Sequence, residues 1–146
     1  MATPAELEVV TRFGTFTVDE DDIVTFAHGL PGFERCRRFV LVSAPSLDPF
    51  TCLHGIDAPE PSFLTLDPRR VVPGYDIPLG DGDRHRLGAS GSGRAPLLWL
   101  AVVHIDDTSV RANLKAPIVI NAERMVGLQV MTADTAYAAD HLLDGA

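Results

Sequence analysis

Residues that end regular structure recur every few positions along this chain, and they limit what it can fold into. Its 146 residues include 12 glycines and 11 prolines. Between these breaks lie short apolar runs rich in β-branched and aromatic residues, a composition that favours strands over helices. Eight or more such runs with almost no helical spacing predict an all-β domain, an antiparallel barrel or sandwich that is closed or nearly closed.

The strongest strand signal is at residues 97–105, Leu-Leu-Trp-Leu-Ala-Val-Val-His-Ile. Nine residues that are nearly all apolar predict a central strand buried on both faces. An Asp-Asp-Thr turn follows, so residues 97–114 are expected to fold as an antiparallel hairpin. Alternation of apolar residues and threonines predicts a second hairpin, or a bulged strand, at residues 9–18.

Two segments depart from the strand pattern. Residues 133–143 have helical spacing, with Tyr137 and His141 four positions apart, and predict at most one short helix at the C-terminus. Residues 80–96 are rich in Gly and Ser and offer few side chains for packing, so we expect a mobile loop there. The part before this loop is too rich in strand edges to stand alone, and residues 1–146 are therefore interpreted as one domain.

The charge balance narrows the partners that the chain can bind. It carries 20 acidic residues against 12 basic ones, a formal net charge of −8 at pH 7. Such a surface repels phosphate backbones, so we expect no direct binding to nucleic acid and a preference for a basic partner. No run reaches the roughly 18 consecutive apolar residues of a membrane span, and the first residues do not resemble a secretory signal. The expected location is the cytoplasm.

One group of residues has the chemistry of a metal site or of a nucleophile pair. Cys52 and His54 would share one face of a strand, and Cys36 and His28 are the other candidates. A small β-barrel enzyme or metal-binding protein that uses these four residues is the alternative interpretation of the chain. The sequence has no Cys-x-x-Cys motif and no phosphate-binding Gly-Lys-Ser/Thr loop, so we favour structural roles for them. We expect no catalytic residue, no metal and no cofactor.

Residues 113–121, Asn-Leu-Lys-Ala-Pro-Ile-Val-Ile-Asn, are the most unusual candidate for binding. Pro117 lies between two strand-like runs, which predicts a sheet edge, a bulge or a strand start. Asn113 and Asn121 flank it with side chains that both donate and accept hydrogen bonds. This combination suits a partner that docks by strand addition, but a proline that only protects an edge from aggregation explains it equally well.

Two motifs, in this order, resemble the FliW flagellar assembly factor family. The first is Gly-Leu-Pro-Gly-Phe-Glu at residues 29–34, and the second is the stretch 113–121. The pair is quite specific, whereas either motif alone is weak. One departure is the Gly-, Ser- and Arg-rich stretch 80–94, where many relatives carry an acidic helix-forming segment. Further similarities bring the coverage to roughly residues 9–143; they lie at residues 13–26, 39–41, 63–68, 75–79, 127–130, 134–137 and 141–142.

The resemblance implies a small antiparallel β-barrel-like fold without catalysis. Members of the family are cytoplasmic proteins that bind the translational regulator CsrA and relieve its repression of flagellin synthesis. They also bind flagellin, which couples flagellin translation to filament assembly. For this chain the resemblance implies CsrA and flagellin as partners, with no membrane and no direct nucleic-acid contact.

The resemblance also assigns candidate binding residues. An apolar centre with a polar rim is the usual anatomy of an interface. In the strip 113–121, Asn113 and Asn121 would supply hydrogen bonds, and Leu114, Pro117 and Ile118 would supply an apolar patch. If the strip is an exposed edge, Pro117→Arg abolishes partner binding with little loss of stability. A weaker candidate is the turn with Leu30, Pro31 and Phe33, because the fold itself often needs such a turn.

Overall fold

A closed β-barrel is the central element of the computed structural model, which describes residues 6–89, 97–131 and 136–143. The strands of the whole structure coincide with the apolar runs of the sequence, because β-branched and aromatic side chains pack well on a pleated surface. They are β1 (Glu6–Thr11), β2 (Gly14–Asp19), β3 (Ile23–Thr25), β4 (Arg38–Val42), β5 (Thr51–Gly55), β6 (Ser62–Leu66), β7 (Leu97–Ile105), β8 (Val110–Ala112), β9 (Ile118–Asn121), β10 (Val126–Gln129) and β11 (His141–Leu142). Two short 3-10 helices, Glu20–Asp22 and Pro68–Arg70, and one α-helix, α1 (Asp81–Arg86), complete the elements.

Seven strands close the barrel in the order β3, β4, β5, β6, β7, β9 and β10. Strand β7 is long enough to pair with β9 through its first four residues and with β6 and β8 through its later ones. Neighbouring strands are antiparallel except β10 and β3, which pair in parallel through Val126 and Thr25. The predicted all-β barrel is confirmed, with that one parallel contact.

One apolar cluster fills the barrel. It draws side chains from β3, β4, β5, β6, β7 and β9, and only the inward faces of strands around a barrel meet in a single cluster. Phe26 and Phe39 pack edge to face inside it, with ring centroids 5.0 Å apart. A Cβ at position 127 on β10 would lie only 2.6 Å from the Phe26 ring, so glycine is the residue that fits there. The barrel interior therefore depends on one close contact between a glycine and an aromatic ring.

Two further clusters cover the outer face of the barrel. The β1–β2 hairpin packs Val9 against outward side chains of β4 and β5. The chain between β6 and β7 packs Tyr75, Ile77 and Leu87 against outward side chains of β6, β7 and β9. Both predicted hairpins, β1–β2 and β7–β8, are confirmed. Strand β7 is buried only in its middle, since Leu98 and Ile105 are exposed at its ends.

The predicted mobile loop at residues 80–96 is wrong for its first half. Residues 81–86 form α1, and Leu87 and Ala89 after it are buried. Acidic residues in the first turn and basic ones in the last favour this short helix through its dipole, a signal that the Gly-rich composition obscured. Residues 90–96 of the predicted loop lie outside the described part of the chain. The interpretation of the chain as one domain stays a prediction.

The helical spacing at residues 133–143 does not produce a helix in the described part of that range. Within residues 136–143 the chain forms strand β11, which pairs antiparallel with β8. The edge of β8 is open to an added strand, and these backbone hydrogen bonds outweigh a weak helical preference. Residues 133–135 are outside the described ranges. Within those ranges, no helix is long and apolar enough to cross a membrane.

Candidate functional site

The first family motif closes one end of the barrel. Strands β3, β5, β7 and β10 end there, and β4, β6 and β9 begin there, as their pairing requires. Residues 26–37 connect β3 to β4, so this connection must cross the same end. The sequence motif at residues 29–34 lies in the middle of that connection.

The motif forms a tight turn that presents Pro31 to solvent. The Phe33 N–H donates to the Leu30 carbonyl at 2.7 Å, and Gly32 between them has a φ of 85°. Leu30 is buried in the barrel cluster, and the Phe33 ring packs edge to face on Phe63 at 5.3 Å. Pro31 is exposed. Of the weaker candidate residues, Leu30 therefore supports the fold and Pro31 is the one that a partner can reach.

The second motif is buried, and this corrects the expectation of an exposed apolar patch. Leu114 and Ile118 are each 1% exposed, and Pro117 is less than 2% exposed. Leu114 packs in the cluster outside the barrel, whereas Ile118 packs inside it. Whether the strip takes part in binding stays a prediction, but most of its apolar side chains serve the core.

The two asparagines of the strip bind their own chain. The Asn121 amide, 1% exposed, donates to the Leu87 carbonyl at 2.7 Å, and its Oδ1 accepts the Glu123 N–H at 3.0 Å. The Oδ1 of the half-buried Asn113 accepts the N–H groups of the two residues before Pro117, at 3.1 and 3.0 Å. These bonds satisfy backbone groups that the turns at the two ends of β9 leave unpaired.

Both motifs nevertheless meet at one surface, a cleft of about 500 Å³ at this end of the barrel. We call it the mouth cleft. Its apolar lining consists of Leu30, Pro31, Phe63, Val102, Ile118 and Ala139, and its polar lining of His104, Arg111, Asn113, Gln129 and Asp140. The structure thus brings Leu30 and Pro31 together with Asn113 and Ile118, and it leaves Phe33, Leu114, Pro117 and Asn121 outside the lining.

Sequence reasoning missed several lining residues. Phe63, Val102 and Arg111 come from β6, β7 and β8, and only the closed barrel places them beside the two motifs. His104, near the end of β7, is a further lining residue and is exposed. His104 lies opposite Arg111 in the β7–β8 pair, so both belong to the same face of the sheet.

The β7–β8 turn holds this face in place. The Asp106 carboxylate accepts the N–H groups of Thr108 and Ser109, both at 2.8 Å. These hydrogen bonds, the one from the Thr108 N–H first, lower the pKa of Asp106 to about 2. The carboxylate therefore stays charged near neutral pH, and the hairpin that carries His104 and Arg111 has a defined turn.

A second cleft, of about 510 Å³, lies on the other side of Pro31 and Gln129, which line both clefts. Its polar groups are His28, Glu34 and the Asp83–Arg86 ion pair, whose atoms are 3.1 Å apart. The Glu34 carboxylate accepts the Gly32 N–H at 2.8 Å, and this bond lowers the pKa of Glu34. Pro31 therefore stands on a ridge between two open surfaces.

The four residues of the alternative interpretation do not form one site. Cys52 and His54 lie on the outer face of β5 under the β1–β2 hairpin, whereas Cys36 packs inside the barrel. His28 is exposed at the barrel end. Burial raises the pKa of both thiols, which makes them poor nucleophiles. In the described ranges, no group of three or more His, Cys, Asp and Glu side chains is arranged to hold a metal ion.

His54 has a structural role that predicts a pH effect. Its ring is 3% exposed, and its Nδ1 lies 2.7 Å from the Ser62 hydroxyl. Burial lowers the pKa of His54 below its ordinary 6.5, and the nearby Glu60 charge opposes this shift. His54 in the unfolded chain therefore takes up a proton at a higher pH than His54 in the folded chain does. Its contribution to the free energy of unfolding is complete above about pH 6.5 and is lost as pH falls below that value.

The expected result is a fall in the free energy of unfolding between about pH 7 and about pH 5. His54→Gln should flatten this fall, because glutamine does not titrate. Urea unfolding at a series of pH values measures the slope in the parent and in the variant. Carboxylates with lowered pKa values act mainly below about pH 4 and do not interfere. Equal slopes in the parent and His54→Gln would refute this role.

Comparisons with known proteins agree with the two motifs. The family model described as FliW protein matches residues 8–143. The flagellar assembly factor FliW of Geobacillus sp. (strain WCH70) is 35% identical over 140 residues, which cover 94% of this chain and 95% of that protein. The flagellar assembly factor FliW of Bdellovibrio bacteriovorus (strain ATCC 15356 / DSM 50701 / NCIMB 9529 / HD100) is 34% identical over 128 residues, 88% of this chain and 73% of that protein.

The fold is similar as well. A crystal structure of the flagellar assembly factor FliW superposes with a TM-score of 0.83 at 31% sequence identity, and the match covers 93% of this chain and 96% of that chain. The motifs, the barrel and the sequence matches over nearly the whole length lead to the same assignment: the chain belongs to the FliW family of flagellar assembly factors.

Proposed function

We propose that this chain is a protein-binding flagellar assembly factor that binds the translational regulator CsrA and flagellin in the cytoplasm. By binding CsrA it relieves repression of flagellin synthesis, and by binding flagellin it couples translation to filament assembly. The observation that carries the proposal is the meeting of both family motifs at the mouth cleft. The names of the relatives describe an assembly role and not a reaction.

The chemistry of the mouth cleft supports protein binding. The half-buried apolar side chains Phe63 and Val102 line it beside the polar side chains His104, Arg111 and Asn113. Protein interfaces combine apolar and polar side chains in this way. The formal net charge of −8 adds long-range attraction to a basic partner.

A direct binding measurement tests the proposed function. Isothermal titration of the purified protein with the host's CsrA, and separately with its flagellin, should show binding at micromolar concentration or tighter. Addition of flagellin to a preformed CsrA complex should then report whether the two compete. If neither protein binds at micromolar concentration, the proposed function is wrong.

Pro31→Arg tests the mouth cleft as the binding surface. The arginine would place a long charged side chain at the apolar lining, and we expect the dissociation constant to rise by at least about tenfold. Pro31 is exposed, so the free energy of unfolding should fall by no more than about 1 kcal/mol, the loss expected from freeing a turn.

Pro45→Arg is the matched control. Pro45 is exposed and follows β4, at the opposite end of the barrel from the mouth cleft. The same substitution there should leave both affinity and stability nearly unchanged. Equal affinities for Pro31→Arg and the parent would show that partners bind elsewhere.

A further inference from the structure

The last described residues of the chain lie across the mouth cleft. We call residues 136–143 the C-terminal strap. The Tyr137 ring stacks on Tyr75 with centroids 4.5 Å apart, and its hydroxyl accepts the Asp76 N–H at 3.0 Å. The Ala138 carbonyl accepts the Leu114 N–H at 2.9 Å. Strand β11 then pairs with β8, so the strap occupies the outer edge of that strand.

Backbone hydrogen bonds hold the strap together with the half-buried Tyr137 and Leu143, which pack against the cluster outside the barrel. None of residues 136–143 is fully buried; residues 136, 138–140 and 142 are exposed, and the other three are half-buried. Segments that bury little apolar surface open locally at a much lower free energy than the global unfolding. The strap is therefore expected to detach while the barrel stays folded.

Detachment of the strap would change the mouth cleft. Ala139 and Asp140 form part of its lining, and the Arg111 side chain donates to the Asp140 carbonyl at 3.1 Å. Without the strap, the edge of β8 exposes unpaired N–H and C=O groups, and Arg111 has a free donor beside the apolar lining. Such an edge, next to an apolar cleft, is what an extended peptide binds by strand addition.

We propose that the strap is a built-in competitor: it opens as a unit, and an extended segment of the protein partner replaces it on β8. This inference rests on the proposed function and specifies how the mouth cleft is regulated. The incoming backbone takes over the hydrogen bonds of β11, and one of its carbonyls accepts the hydrogen bond that the Arg111 side chain now donates to Asp140. At the position of Leu142, which faces the same side as His104 and Arg111, the partner places an apolar side chain.

The competition has two consequences. A closed strap protects the edge of β8 from pairing with other chains in the free protein. It also lowers the apparent affinity for the partner, because only the molecules whose strap is open can bind. Locking the strap shut should therefore remove binding, and this can be done reversibly with a disulfide.

The double variant Arg111→Cys and Leu142→Cys supplies the lock. Leu142 and Arg111 are directly opposite in the β8–β11 pair, and the Leu143 N–H donates to the Val110 carbonyl at 2.9 Å. This bond makes positions 111 and 142 a non-hydrogen-bonded pair, whose Cα atoms are about 4.5 Å apart and suit a disulfide. The native Cys36 and Cys52 are fully buried and are not expected to react.

Titrations of the oxidised and reduced forms with flagellin and with CsrA compare one protein with itself, which cancels the loss of Arg111. We expect the oxidised form to bind at least one partner at least about tenfold more weakly than the reduced form. Equal affinities in the two forms, for every partner that the parent binds, would overturn the competitor role.

Amide hydrogen exchange on the unmodified protein gives a second readout. The Leu114 N–H donates to the strap, and the Leu143 N–H belongs to it. Both should exchange at least about tenfold faster than the Ile120 N–H in β9. Equal rates would overturn the inference, because the strap would then open only with the barrel. If the parent binds neither partner, the proposed function fails, whereas the exchange rates still decide whether the strap opens by itself.

Discussion

Pro117→Arg is expected to destabilise the fold strongly, not to disable an exposed surface. Pro117 is less than 2% exposed, and its carbonyl accepts the Val130 N–H at 2.8 Å. None of the buried residues in the described ranges is acidic, so a guanidinium at this position finds no buried carboxylate among them, and burying an unpaired charge costs several kcal/mol. We expect a loss of at least about 3 kcal/mol, a large part of the stability of a domain of this size. Urea unfolding followed by circular dichroism measures it.

Pro31→Arg provides the comparison, because it makes the same change at an exposed proline of the other motif. It should keep the fold and lose partner affinity, whereas Pro117→Arg should lose the fold first. If Pro117→Arg retains the parent's stability but no longer binds its partner, the strip is an exposed edge in solution. In that case the burial of the second motif is wrong.

Asn121→Ala is expected to lower the free energy of unfolding by about 2–3 kcal/mol. The substitution removes the donor to the buried Leu87 carbonyl and the acceptor for the Glu123 N–H. It leaves the Leu87 carbonyl without a partner in a buried site, where water does not easily replace the lost bond. The bond to Leu87 also ties β9 to the end of α1, so this region should become less protected from hydrogen exchange.

Asn113→Ala is the matched control in the same motif. Its Oδ1 also accepts two backbone N–H groups, but the residue is only half-buried, and solvent can reach the released Lys115 N–H. We expect a loss of about 1 kcal/mol, together with weaker partner binding because Asn113 lines the mouth cleft. Equal losses of stability for the two variants would contradict the structural distinction between them.

Hairpins and strands could be predicted from the sequence because their signals are local. Alternation at residues 9–18 and the apolar run at 97–105 coincide with β1–β2 and β7. The wrong prediction of a mobile loop at residues 81–86 and the helical spacing that forms no helix at residues 136–143 both come from weak local signals that tertiary contacts outweigh. Helix α1 is stabilised by the burial of Leu87 and Ala89 after it, and residues 141–142 form a strand because the edge of β8 is available.

The candidate site was only partly predictable. Both motif segments contribute to the mouth cleft, where Pro31 is exposed and Asn113 half-buried, and partner binding there stays a prediction. Leu114, Pro117 and Ile118 are buried and do not form the expected exposed patch, because a proline between two strand-like runs occurs both at sheet edges and in a core. Burial is decided by neighbours distant in the chain, here by Tyr75, whose hydroxyl donates to the Leu114 carbonyl at 2.7 Å.

The sequence by itself determined the all-β class, the positions of most strands and the membership of the FliW family, since these depend on local composition, alternation and motifs. Only the tertiary structure decided which motif residues are core and which line the mouth cleft, because Phe63, Val102 and Arg111 join them through barrel closure. It also placed the C-terminal strap on β8. The position of the strap follows from long-range strand pairing, which no short stretch of sequence encodes.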